Sequence, residues 1–352
     1  MRRASTAREG RAPRRKRRGL RLAVILTVLA GLWLVYWYGA SQIAAAALDR
    51  VVARAAAKGY ALECAEPAQG GFPLSLDLGC SKAGLTGSRQ PLAASFGSFS
   101  ARAPLYWPGR VESEFDGPLS LEAANRGLAL TAQWAHAASA VEAGIGGLKG
   151  AEGNVSGLSV ALPAAANGIP LSALSAETAR FSFAPGSEAS AYRLSGAADG
   201  LALTKDDGQA LPPMRIAVEA DALDLGSSLG LDPRQALRDW IVRGGALRVG
   251  TLDMEAGGFA ASASGPLSLS ADGKLSGTLT VRMRGLDALP DLVEAVHPGS
   301  RERVANIAAG MMAFTKPVET PDGPAQETTL LLRDGVVSLG IFPIGVIPPV
   351  RF

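Results

Sequence analysis

From Ala61 to its end the chain is written in short runs of alternating apolar and polar residues, stopped by Gly, Pro, Asn or Asp. A period of two sends successive side chains to opposite sides of a strand. The pattern therefore argues against a helical bundle and calls for a sheet with two chemically different faces. In GFPLSLDLGC, Leu74, Leu76 and Leu78 share one side with Cys80, while Ser75, Asp77 and Gly79 take the other. In GTLTVRMRG, Leu279, Val281 and Met283 oppose Thr280, Arg282 and Arg284. The same cadence recurs in GPLSLEA, RGLALTAQW, ARFSFAPG, MRIAVEADALDL and TTLLLRDGVVSLG. Asp272-Gly273 and Asp334-Gly335 each sit between two such runs, which predicts type I′ hairpins. Successive hairpins make an antiparallel meander, and 42 glycines and 22 prolines supply its turns.

Helical spacing interrupts this cadence in two places. In LDPRQALRDWIVRGG, Asp232 is placed to cap, Pro233 fits a first helical turn, and Leu237, Trp240 and Ile241 form a stripe over 233–243. Between 286 and 314 a helical region is broken near Pro298, with Leu289, Leu292, Val293 and Val296, then Val304, Ile307 and Met311, as its apolar positions.

The N-terminus obeys different rules. Residues 1–21 hold ten Lys or Arg against Glu9 alone, so the remaining chain carries 25 basic and 31 acidic residues. Basic charge confined to a tail argues against a nucleic-acid surface. Leu22 to Ala40 follows without a charge. At helical rise this spans about 28 Å, close to the hydrocarbon thickness of a bilayer. Trp33, Tyr36, Trp37 and Tyr38 crowd its second half, as at a membrane interface, and the basic tail predicts a cytoplasmic N-terminus with the bulk of the chain outside. A cleaved signal peptide is the alternative, since it also pairs a basic start with an apolar run. Residues 41–59 are alanine-rich and end at Gly59, which suits either a stalk extending the membrane helix or a helix packed on the domain.

Cys64 and Cys80 are the only cysteines. Two antiparallel strands joined through AEPAQGGF would bring both sulfurs to one face, and an oxidising compartment would join them. A redox pair is the functional alternative, but the spacing is not Cys-x-x-Cys.

The motifs of chemistry are missing. His136 and His297 stand in no metal-ligand phrase, and GIGGLKG at 144–150 lacks the spacing of a phosphate loop. The acidic pairs Asp206 with Asp207 and Glu112 with Glu114 read as solvated carboxylates. No residue is assigned a catalytic, cofactor-binding or metal-ligating role, and the expectation is a protein that is not an enzyme.

Taken together, GFPLSLDLGC, the Trp240 to Met254 segment in DWIVRGGALRVGTLDM, and LLLRDGVVSLGIFPIGVIPPV make the chain resemble the envelope family known as domain of unknown function 2125, over about Leu22 to Phe352. Gln133 to Pro170 matches that pattern least. By its long β meander behind one membrane helix the family is in turn similar to AsmA-type envelope proteins. That similarity implies an elongated, curled antiparallel sheet with an apolar inner face, associated with lipid handling between two membranes.

The combined expectation is a mainly β (α+β) chain: a basic cytoplasmic tail at 1–21, a transmembrane helix at 22–40, a helical stalk at 41–59 and a periplasmic β domain at 60–352. Anchored in the inner membrane of a Gram-negative envelope, it would shield or transfer a lipid or other apolar ligand in a groove that includes Leu74, Leu76, Leu78, Leu279, Val281 and Met283. An envelope scaffold that binds another protein is the alternative. The expected partners are the membrane, an acyl chain or an envelope protein, without nucleic acid or cofactor.

Overall fold

The computed structural model describes residues 15–87, 92–123, 128–144, 147–162, 171–227 and 233–350. Most of the basic tail (residues 1–14) and the capping position Asp232 lie outside the described residues. Helix α1 (Arg15–Ala57) continues past the apolar run into the alanine-rich stretch. Its segment Val24–Ile43, with a mean hydropathy of 1.6, is long and apolar enough to cross a membrane, and none of it is buried in the protein.

Behind α1, ten short strands are the halves of five long ones. They are β1 (Tyr60–Ala65) and β2 (Ala68–Gly70), β3 (Ser75–Cys80) and β4 (Lys82–Gly87), β5 (Leu92–Phe96) and β6 (Phe99–Pro104), β7 (Arg110–Phe115) and β8 (Leu119–Ala123), and β9 (Leu128–Gln133) and β10 (His136–Gly144). One to three residues separate the halves of each pair. The pairings β2–β3, β3–β6, β6–β7 and β7–β10 build one half-sheet, and β1–β4, β4–β5, β5–β8 and β8–β9 build the other. Strand β11 (Gly147–Ala161) joins them, because its first part pairs with β10 and its last residues with β9. The break is tightest at Gly97, where an added Cβ would lie 2.6 Å from the Gly117 carbonyl oxygen.

The meander then runs on through β12 (Leu171–Pro185), β13 (Tyr192–Lys205), β14 (Met214–Ala222), β15 (Ala246–Ala256), β16 (Phe259–Leu269) and β17 (Leu275–Arg284). In the segment 133–170, which fits the family pattern least, the described residues 133–144 and 147–162 do not interrupt it. Strand β17 pairs with β19 (Gly323–Arg333), whose other edge carries β18 (Lys316–Thr320) and β20 (Val336–Leu339), and β21 (Phe342–Val346) forms the margin. Among the described residues this is one 21-stranded sheet with antiparallel pairing. Helix α2 (Pro233–Val242) lies between β14 and β15, while α3 (Leu289–Val296) and α4 (Arg301–Met312) lie between β17 and β18.

Three expectations need correction. The first is the curl: the sheet is neither closed nor strongly curled, and among the described residues no pairing joins its opposite margins at β2 and β21. Wrapping a sheet around an interior needs bulky side chains to fill it, and alanine makes up more than half of the buried apolar residues. The second concerns the cysteines: the two long strands that carry them do pair antiparallel, but through opposite halves, β1 with β4 and the short β2 with β3, so Cys64 and Cys80 do not lie on directly paired segments. Cys64 and Cys80 are nevertheless disulfide-bonded, with Cα atoms 5.4 Å apart, because Cys80 ends the strand beside Ala68 and Gly79 and so reaches the margin that β1 continues. The third is the turn at Asp272-Gly273. Asp334 (φ 49°) and Gly335 (φ 85°) both adopt the left-handed conformation that a type I′ turn requires, with Arg333 opposite Val336. At the other site only Gly273 does so (φ 76°). There the Lys274 N–H donates to Ser270 Oγ and the loop widens to Ser270–Lys274.

Ala222, Leu225, Trp240, Ile241 and Leu269 form a buried cluster, flanked by Phe183, Tyr192, Leu247 and Leu275. Of the expected α2 stripe, Trp240 and Ile241 thus close one end of the sheet while Leu237 stays exposed, and the Trp240 indole N–H donates to the Leu223 carbonyl at 2.6 Å. Full burial of a side chain such as Ile241 contributes about 1.5–3 kcal/mol. At the far end, Leu292 of α3 and Ala288 approach the Gly257-Gly258 turn, and Thr328 of β19 donates its hydroxyl to the Phe314 carbonyl just beyond α4.

Two stability outcomes follow from this architecture. Gly97→Ala forces backbone against backbone at the break and should cost about 1–3 kcal/mol in urea unfolding of the solubilised chain. Cys64→Ser, which frees the loop between the two cysteines, should cost about 3 kcal/mol in the same measurement, and a reductant should have no further effect on that variant.

Candidate functional site

Directly opposed residues in an antiparallel pair project from the same face, so the registers can be followed across the whole sheet. One row runs Leu78, Ala101, Ser113, Ser139, Gly153, Phe181, Gly196, Val218, Leu252, Ala263, Val281. The next runs from Cys80 through Phe99, Phe115, Ala137, Val155, Ala179, Ala198, Ile216, Met254 and Ala261 to Met283. Leu78 and Val281 therefore belong to one face. At about 4.8 Å per strand they also lie about 48 Å apart, so the six residues picked from the sequence are not brought together. Leu76, Leu78, Leu279 and Val281 are half-buried and Met283 is buried, whereas Leu74 falls outside the strands, in the exposed corner before β3.

The centre of the apolar face is open. Phe181, Val218 and Leu252 in the first row, with Val111, Val141 and Leu194 in the flanking row, keep 39% to 54% of their surface exposed. Isolated exposed apolar residues are ordinary, but a contiguous strip marks an interaction surface. Helix α2 stops short of this strip at one end. The small residues Gly153 and Gly196 flank Phe181 in register, and its ring lies over Gly153, where an added Cβ would come within 2.4 Å of it.

Turning the strands over gives the opposite chemistry. Asp77 pairs with Arg102 at 3.2 Å, Arg110 with Glu112 and Glu152 at 2.9 Å each, and Arg193 with Asp221 at 3.0 Å. Arg215 reaches Asp199 at 3.1 Å, and Glu327 accepts from both Arg282 and Lys316 at 2.9 Å. Two depressions, of about 670 and 630 Å³, lie largely on this charged side and share Ala217. Charged side chains line both, Arg215 and Glu327 in one and Arg110 and Glu152 in the other, which also reaches Phe181 and Val218. Hydrogen bonds from Lys316 and Arg282 hold the Glu327 carboxyl below the usual carboxylate range. At Asp77 burial pushes upward, but hydrogen bonds from Ser75 and Arg102 outweigh it and the carboxyl is also lowered.

The remaining candidates are unconnected. Glu112 serves the Arg110 ion pair, and Asp207 accepts from the Gln209 N–H in the turn after β13. His136 begins β10 and His297 follows α3. Among the described residues no group of three or more His, Cys, Asp or Glu could hold a metal ion. Sequence reading did not single out Phe181, Leu194, Val218 and Leu252. Their alternation was visible, but which strands would lie side by side was not.

The family model described as an uncharacterized protein conserved in bacteria (DUF2125) matches residues 37–348. No curated protein and no solved structure matches the chain.

Glu327 sets a pH dependence. A carboxyl lowered in the folded state contributes stability that is present above its unfolded value, about 4.3, and is lost as the pH falls through the folded value. Thermal unfolding should show the melting temperature falling in that acid range, and Glu327→Gln should flatten the fall while lowering stability at neutral pH.

Proposed function

The chain belongs to the DUF2125 family of uncharacterized bacterial proteins, and from that membership and the open strip we propose a non-enzymatic envelope protein that shields an acyl chain or another apolar ligand. In this reading Leu22–Ala40 anchors it in the inner membrane, the basic tail stays in the cytoplasm and the sheet stands in the periplasm. A likeness in layout to AsmA-type envelope proteins is part of the same reading.

The strip from Val111 to Leu252 is the observation that carries it. Six large apolar side chains lie uncovered on a face whose ends are closed by helices, while the charges are gathered on the other face. Each methylene group that leaves water contributes about 0.8 kcal/mol, so a hydrocarbon chain laid across the strands gains from the contact and hides the strip from water. The site is an open face and needs no enclosed cavity. The disulfide fits an oxidising compartment.

One observation favours a scaffold as the second reading. Strand β21 has β20 on one edge only, and Phe342, Ile344 and Val346 are exposed along it. An unpaired apolar edge can accept a strand from another protein.

A photo-crosslinking residue placed at Val218 in cells distinguishes the two. Lipid adducts at Val218 are expected, and Phe181→Asp should reduce them about tenfold or more, since losing a buried phenylalanine contact costs at least about 1.5 kcal/mol. A single protein adduct at Val218, with no lipid, would replace the lipid reading with the scaffold.

A further inference from the structure

Beside its contacts with the adjoining β1, helix α1 meets the sheet through its aromatic residues. The Trp33 indole N–H donates to the Pro73 carbonyl at 2.7 Å, the Trp37 indole to the Ser75 carbonyl at 3.2 Å, and the Tyr36 hydroxyl to the Leu105 carbonyl at 3.2 Å. Trp37 also meets the Phe72 ring edge-on at 5.2 Å. The Leu105 N–H donates in turn to the Leu74 carbonyl, which ties the β6–β7 turn to the Gly71–Leu74 corner. These three donors belong to the aromatic group of the segment long and apolar enough to span a membrane.

The path of the chain agrees with this contact. From Trp37 to Ala57 the helix rises about 30 Å, and the extended chain from Tyr60 to Phe72 returns by about 40 Å. The corner therefore comes back to the depth of the aromatic group. Phe72, Leu74, Tyr106 and Trp107 stand there with 48% to 72% of their surface exposed, an aromatic-rich set of the kind found at a lipid headgroup boundary. Nearby cations are already paired, since Arg102 pairs with Asp77, and Arg110 pairs with Glu112 and Glu152 and lies 5.2 Å from the Trp107 ring.

We infer that the turns Gly71–Leu74 and Leu105–Trp107 form a second membrane contact, a rim that inserts Phe72, Leu74, Tyr106 and Trp107 into the outer interface of the bilayer that holds α1. The rim fixes the sheet's attitude to the membrane and sets the Leu76 and Leu78 end of the apolar face against lipid. Insertion is apolar, so it does not depend on anionic lipid. The inference rests on α1 remaining in the bilayer, as in the reading above, and is independent of what occupies the strip.

The test uses the full chain in phosphatidylcholine vesicles. Because both native cysteines are bonded, a single introduced thiol can carry an environment-sensitive dye in Leu74→Cys, Tyr106→Cys, Leu29→Cys or Ile307→Cys. Dyes at 74 and 106 should be quenched by brominated or spin-labelled lipid and protected from aqueous iodide, as at 29, with the reverse at 307. The result should be the same when phosphatidylglycerol is added. If 74 and 106 respond to iodide while 29 responds to lipid, the rim is overturned and the anchor stands. If 29 also responds to iodide, the anchor fails and the rim with it. Intrinsic fluorescence gives a dye-free check: Trp107→Phe should lower the fraction of tryptophan emission quenched by brominated lipid, and an unchanged or higher fraction would overturn the rim.

Discussion

Register parity governs the rest of the structure. Side chains alternate along a strand, so a slip of one residue in any pairing would move a whole strand's charges into the apolar face. Across ten successive pairings from β3 to β17 the parity is kept, so that Leu78 and Val281 share a face with Phe181 while Asp77, Arg180 and Arg282 share the other. Bulges at Gly250 and between Ala198 and Leu201 absorb the irregularities without exchanging the faces. The ion pairs contribute little individually, because they are mostly exposed. Their value lies in specifying register, since a shifted strand would leave them unpaired.

Keeping the faces separate has an energetic consequence. Each strand offers one apolar side, but much of that side is Ala, Gly or Ser, too small to build a thick core. The helices cover the ends: α2 brings Trp240 and Ile241 onto the strands around Leu247, and the α3–α4 pair lies near the opposite turns. The middle is left with residues large enough to bind something and, among the described residues, nothing to cover them. An uncovered strip on an otherwise well-partnered sheet is the physical basis of the proposed ligand contact, while the aromatic contacts of α1 fix which end of the sheet lies beside that helix.

Much of this was legible in advance. The alternation of Leu74–Leu78 and Leu279–Met283 marked strands with one wet and one dry face, and Asp334-Gly335 marked a hairpin that formed as its backbone chemistry requires. The errors share a cause. The Asp272-Gly273 turn widened because a serine two residues earlier supplied its own hydrogen bonds, and the pairing of β2 rather than β1 with the Cys80 strand went unforeseen because a three-residue strand leaves almost no periodic signal. The expected curl came from the likeness in layout to AsmA-type proteins, and the buried apolar residues, more than half of them alanine, are not bulky enough to fill an enclosed space.

By itself the sequence determined which residues face together along each strand, because the period of a β-strand is fixed by backbone geometry. It also determined the apolar N-terminal segment, since a long run without charge has few places to go but a bilayer or a core. Only the tertiary structure decided which strands became neighbours, and so whether Phe181, Val218 and Leu252 formed a patch or stood apart. It likewise decided that Trp33, Tyr36 and Trp37 hydrogen-bond to the Gly-Phe-Pro corner and the turn beside it. Contacts between residues some 40 to 70 positions apart depend on how the whole meander is laid out, and no local pattern encodes that.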